Sequence, residues 1–278
     1  MTKGDWMLDE KQHLNVDADH VSRQLLMILV GCELMLVLLD IVINYMEIIP
    51  YKSMHALFNI AREDGLAGWF MTSQTMIAAL VLWFIYYLSH HIDGITAFYR
   101  RSWLILALFF SYMSADDGAV IHERMGTMFE DMMANPDALT DPGLLTRWLD
   151  LFPSYEWQFL LPIFALIGLY MLYFLWKVLG VSRALIMVLA AFSSLSVAVV
   201  LDFIEGMPPE HAYNLYSWLK QTYMLEDYTV DHFAKSLEES LEMLGISLFL
   251  AVFVAQIKLM LPENFSIHLQ ASKGLPEK

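Results

Sequence analysis

The sequence contains one cysteine, Cys32, among its 278 residues. It falls inside an apolar run, so no intramolecular disulfide can staple the loops. Charge is also scarce: Asp, Glu, Lys and Arg together make up only 17% of the chain. Basic residues are the scarcer kind, 16 against 31 acidic ones, which leaves a net charge of −15. That balance excludes nucleic acid as a partner and argues against binding to anionic lipid headgroups. The sequence has no internal repeat and no low-complexity segment. Its first residues also lack the basic start and short apolar core of a signal peptide. They are polar and acidic (Asp5, Asp9, Glu10, Asp17, Asp19) before the first apolar run, so that run is expected to stay as an anchor.

What the chain has in abundance is apolar sequence, 58% of its residues, with a mean hydropathy of +0.49. This exceeds the usual share of a soluble domain. Runs of about 20 apolar residues suffice to cross a bilayer as helices. The sequence predicts six, over 24–48, 69–89, 103–121, 157–178, 183–204 and 238–261. The expected fold is therefore all-α, a polytopic membrane helix bundle. Residues 1–23 and 262–278 would form tails, and 49–68, 124–156 and 205–237 the outer loops. The third segment is the least typical, because its end reads Ser114, Asp116, Asp117, Gly118.

Orientation follows from Lys and Arg. With the N-terminus inside, Lys3, Lys11, Arg23, Arg100, Arg101, Lys177, Arg183, Lys258, Lys273 and Lys278 fall on the inner side. Lys52, Arg62, Arg124, Arg147, Lys220 and Lys235 fall on the outer side. The excess favours both termini inside, in an integral membrane protein of a bacterial inner membrane. The lipid bilayer is then the first partner; a second copy, or a larger membrane complex, is a further one.

Acidic residues recur on single helical faces of these segments. A carboxylate in hydrocarbon costs several kcal/mol unless it faces protein, water, a cation or a proton, so such residues are functional candidates. Glu239 and Glu242 lie within one arc of the last span, with Gly245 one turn further on to admit a neighbouring helix closely. Glu238, at the helix start, reads as a solvated residue favoured by the dipole. His232 shares the face of Glu239 if the helix begins early. The fifth span delivers Asp202 and Glu205 to the same outer end, where they either support a site or cap the helix. The third brings Asp116, Asp117, His122 and Glu123, and His122 joins the others if Gly118 bends the helix. The first carries the stripe Glu33, Asp40, Asn44, Glu47 through most of the bilayer.

Carboxylates with one or two histidines suit Fe, Mn or Zn, metals that helix bundles hold between facing helices. Asp116, His122, Glu123, Glu239 and Glu242 are the expected ligands or acid/base groups. Asp117, Asp202, Glu205 and His232 are in support. Cu is the weaker candidate and rests on Met125, Met128 and Met132 following His122; methionines at that spacing also make an ordinary amphipathic face. The spacing Ser114-x-Asp116-Asp117-x4-His122-Glu123, followed by Glu238-Glu239-x2-Glu242-Met243-x-Gly245, resembles a pattern in a functionally unassigned group of bacterial polytopic membrane proteins. In that group the first motif reads Ser-x-Asp-Glu-x4-His-Glu, so Asp117 is one methylene shorter here. The resemblance implies a shared site formed by both motifs.

Three functions remain open on these residues. The first is an outward-facing metal site, with or without catalysis on a small or lipidic substrate. The second is proton- or cation-coupled transport along Glu33 and Asp40, although no inverted repeat accompanies it. The third is a non-catalytic subunit or assembly factor of a membrane complex.

Overall fold

The computed structural model describes residues 18–134 and 161–261. Among these the chain is helical throughout its ordered elements. Helix α1 (Ala18–Asp40) runs into a π-helical turn, Ile41–Tyr45, and is followed by the short α2 (Lys52–Phe58). Then come α3 (Leu66–Leu88), α4 (Ala97–Ala119), α5 (Ile121–Ala134), α6 (Leu161–Leu179), α7 (Arg183–Glu205), α8 (Leu215–Tyr223) and α9 (Asp227–Met260). Five helices are long and apolar enough to cross a membrane: His20–Tyr45, Leu66–Leu88, Leu161–Leu179, Arg183–Glu205 and Asp227–Met260. Helix α4, which carries the expected third span, is as long as α3 but bears Arg100 and Arg101 near one end and Asp116 and Asp117 near the other. Its polar ends keep it outside that set of five.

Among the boundaries that differ from expectation, two bear on the site. Helix α4 begins at Ala97 rather than 103, because Thr96 provides the extended residue from which the helix starts. Helix α9 begins at Asp227 rather than 238, about three turns earlier. At 1.5 Å per residue its 34 residues run about 51 Å, well beyond a hydrocarbon core of ~30 Å. Its acidic first turns thus belong to a helix, not to a loop. The tails 1–17 and 262–278, the segment 135–160 and the side chains of Met132 and Met133 lie outside the described residues.

Helix α9 is the axis of the bundle and packs against α7, α1 and α3, while α4 lies along α3. The reason is visible in its sequence: Gly245, Ile246, Phe249, Leu250, Val252 and Phe253 are all buried, on more than one face. A helix apolar all round must be enclosed. Phe253 stands edge-on to Phe110 of α4 at 5.2 Å, and Phe249 stands edge-on to Phe192 of α7 at 5.1 Å. Gly245 makes the α7 crossing possible. A Cβ placed there would lie 2.8 Å from Leu195 Cγ and 3.3 Å from the Ala191 carbonyl. Helices approach this closely in membranes where one side chain is missing.

Helices α6 and α7 form a hairpin through Gly180, at φ 57°, and Ser182, whose Oγ accepts from Leu185 N. The expected tight turn is therefore present. Helix α6 touches α4 and α7 only sparsely, leaving space between them on the side of α4 that holds Asp116.

Candidate functional site

The end of α4 is built around Asp116. The helix stops when Val120 adopts a left-handed conformation, φ 54° and ψ 46°, and α5 starts at once from Ile121. Such a conformation is unusual for a β-branched residue and costs about 1–2 kcal/mol. Here it is held by Asp116. Asp116 Oδ1 accepts from the His122 backbone N–H at 2.8 Å, and Oδ2 accepts from His122 Nδ1 at 2.8 Å. The carboxylate caps the new helix and fixes the imidazole in one act. The expected bend thus occurs, but two residues after Gly118. Gly118 serves instead the approach to α3, with a hypothetical Cβ 3.2 Å from Thr72 Cγ2. Thr75 Oγ1 donates to Asp117 Oδ2 at 2.9 Å, tying the same turn to α3.

Helix α9 contributes Lys235, Glu238, Glu239 and Glu242 on one face. Lys235 Nζ lies 2.8 Å from Glu238 Oε1, 3.9 Å from Glu239 Oε1 and 4.0 Å from Asp202 Oδ1 of α7. Glu238 is 3% exposed, so it is not the solvated helix start that its position suggests. The burial comes from the earlier start of α9, which moves this residue well inside the helix. Its Oε2 has no hydrogen-bond partner among the described residues. Glu242 lies within electrostatic reach of Asp117, Lys235, Asp202 and His122.

These groups meet at one end of a cavity of about 660 Å³. Glu63, Asp116, Asp117, Asp202, Glu238, Glu239 and Glu242 line it together with His122 and Lys235. The opposite wall is apolar and comes from Phe109, Phe110, Phe164, Leu172, Phe192 and Phe249, among others. Seven carboxylates against one ammonium and one imidazole leave excess negative charge. Protons, a cation or a cationic ligand must offset it. Among the described residues, no three His, Cys, Asp or Glu side chains converge closely enough to hold a metal ion.

A family model described as a domain of unknown function, DUF8692, matches residues 26–257. The chain belongs to the DUF8692 family. The match includes every acid, the histidine and the lysine around the cavity. Neither a curated protein nor a solved structure matches the chain.

The other expected residues fall elsewhere. Glu123 lies in α5, but its side chain is outside the described residues. Glu205 ends α7 and is exposed, away from the cavity lining. His232 faces α1: its Nε2 is 3.3 Å from Asp40 Oδ1 and 3.2 Å from Asn59 Oδ1. Asp40 Oδ1 also accepts from Asn44 Nδ2 and from the Ile60 N–H, at 2.9 and 3.3 Å. The π-helical turn that follows Asp40 re-aims the chain toward α2, where His55 Nε2 donates to the Ile49 carbonyl at 2.6 Å. Glu33 forms a second separate network, accepting from Ser247 Oγ at 2.6 Å and Gln74 Nε2 at 3.0 Å. Glu47, beyond the helix, is exposed.

Besides Glu238, two charged cavity residues, Lys235 and Glu63, are not among the expected site residues. Lys235 stands three and four residues before Glu238 and Glu239, a spacing that places all three on one helical face. That was the available signal. Glu63 lies in a loop, and only the fold brings it in: its carbonyl occupies the place where a Cβ on Gly68 would be. Nearby Tyr216 of α8 donates to the Leu201 carbonyl at 3.1 Å. Burial pushes its phenol up from the ordinary value, and the negative charges of Glu238, Glu205 and Asp202 push it further.

Proposed function

We propose that this is a six-span membrane protein with both termini inside, in a bacterial inner membrane, whose outer side carries an acid–base site for a small or lipidic substrate. The observation that supports it is the Asp116–His122 pair at the polar end of an otherwise apolar cavity. A carboxylate on Nδ1 orients the imidazole, fixes its tautomer and stabilises its protonated form. Glu239 and Glu242 stand across the cavity as proton donors or acceptors, with Asp117 and Asp202 beside them. Lys235 offsets part of their charge. The sixth span is α4, which lies along α3 and has Arg100 and Arg101 at the end opposite Asp116. The likeness of its two motifs to those of unassigned membrane proteins agrees with one shared site.

Imidazole nitrogen labelling tests the pair. His122 is expected to show one tautomer with hydrogen on Nδ1, and Asp116→Asn to mix the two. A wild-type ring that exchanges freely between tautomers would contradict this reading. Orientation is tested after Cys32→Ala by placing single cysteines at Val181, fully exposed in the α6–α7 turn, and at Tyr213, 78% exposed. A membrane-impermeant maleimide is expected to label Tyr213→Cys from outside and Val181→Cys only after the membrane is opened.

A metal is the second reading, favoured by the same Asp116–His122 bond, since metal-ligating histidines usually carry such a partner. The donor types suit Fe, Mn or Zn; among the described residues no three such side chains converge, so His122, Glu239 and Glu242 would have to draw together around the ion. Such an ion would supply a Lewis acid or an activated water. Elemental analysis of the purified protein decides it. Stoichiometric metal lost in both His122→Ala and Glu239→Ala supports this reading, and metal-free protein that retains its fold removes it.

A further inference from the structure

We propose that the cavity accepts an amphiphile bearing an ammonium head, admitted sideways from the bilayer between α6 and α7. The inference rests on the outer-side site proposed above and assigns its ligand class.

The lateral opening is set by four residues. Ala165 and Leu169 of α6, and Ser196 and Val200 of α7, line the cavity and are also exposed. Each pair is four residues apart and therefore one helical turn apart on a single face. Ala165 and Ser196 fall at the same level of the antiparallel hairpin, with Leu169 one turn toward the connecting turn and Val200 one turn away from it. This stretch of the hairpin belongs to two of the apolar membrane-crossing helices, so its outward side meets acyl chains and not water. An apolar tail can therefore enter without crossing the polar end.

The head is chosen by charge and by one orphaned atom. Glu238 Oε1 is taken by Lys235, while Oε2 is buried and has no partner among the described residues. A buried carboxylate oxygen of this kind requires a donor. An ammonium offers three, together with a positive charge that the surrounding carboxylates favour. A carboxylate or phosphate head would instead meet Asp202, Glu239 and Glu242. The tail then runs along Phe109, Phe164 and Phe192, and a volume of about 660 Å³ lies within the ~300–1,000 Å³ range of small-molecule sites.

The test uses the full chain in maltoside micelles and a hexadecylamine carrying a photoreactive diazirine in its tail. Labelling is expected on α6 and α7, displaced by excess hexadecylamine but not by palmitate or by spermidine, which has amines but no tail. Glu238→Gln is expected to weaken labelling roughly tenfold or more, the loss of one charge-assisted hydrogen bond. Val200→Trp, at the opening, should reduce labelling without lowering the Tm. Equal displacement by palmitate, displacement by spermidine, or undiminished labelling in a folded Glu238→Gln protein would overturn the proposal. None of these readouts involves His122, so labelling can fail while its tautomer behaves as expected, and the reverse.

Discussion

Replacing Lys235 with Met removes the ammonium that touches three carboxylates and leaves their shape nearly unchanged. Lys235 Nζ lies 2.8 Å from Glu238 Oε1, and their side chains are 21% and 4% exposed, so water screens this pair poorly. Removing one partner of a buried ion pair typically costs about 3–5 kcal/mol, because the remaining charge is stranded. Glu238 already has one unpartnered oxygen, and Glu239 and Asp202 lose their nearest positive charge as well. The full penalty is expected in alkaline solution, where Glu238 is ionised. It should shrink in acid, where protons replace the ammonium. SDS-induced unfolding in mixed micelles, followed by tryptophan fluorescence, measures the loss. Adding Glu238→Gln should return much of it, since the stranded charge is gone. A Lys235→Met protein of wild-type stability, or a loss that Glu238→Gln deepens, would refute the electrostatic account.

Three further outcomes follow from the packing. Gly245→Val should cost about 1–3 kcal/mol by forcing Leu195 aside, and Leu195→Ala should relieve part of that cost in the same unfolding assay. Val120→Gly should be neutral or stabilising by up to ~1 kcal/mol, against the usual sign for glycine near a helix, because the left-handed backbone no longer opposes a side chain. Glu33→Ala should cost roughly 1–3 kcal/mol, since Gln74 Nε2 and Ser247 Oγ lose a buried acceptor.

Much of the helical framework is legible in the sequence because runs of apolar residues decide it. Local chemistry was harder to read. Gly245 was identifiable as a close crossing, since a missing side chain one turn from Glu242 has a plain steric meaning. The end of α4 was half legible: Asp116 and His122 were expected together, but the break falls at Val120, a residue whose preferences oppose it. Only the pair of hydrogen bonds from His122 to Asp116 explains that choice. The start of α9 is not legible, because its first turns are polar and periodicity alone does not separate a solvated helix from a loop. Glu238 therefore reads as a helix start, and Lys235 as a loop residue. His232 does share the helical face of Glu239, but it does not join the cavity. At roughly 100° per residue it lies only slightly past Glu239, and the packing of α1 against α9 turns it toward Asp40. Glu63 and the cavity depend on long-range packing, which no spacing along the chain records.

The central claim is that two motifs more than a hundred residues apart form one site. A double-mutant cycle between Asp117→Asn and Glu242→Gln tests it most directly, with SDS-induced unfolding as the readout. Each neutralisation should relieve the repulsion between the two carboxylates. The double variant should then gain less than the sum of both, a coupling of about 0.5–3 kcal/mol. Effects that add within ~0.3–0.5 kcal/mol would mean that α4 and α9 do not share a site.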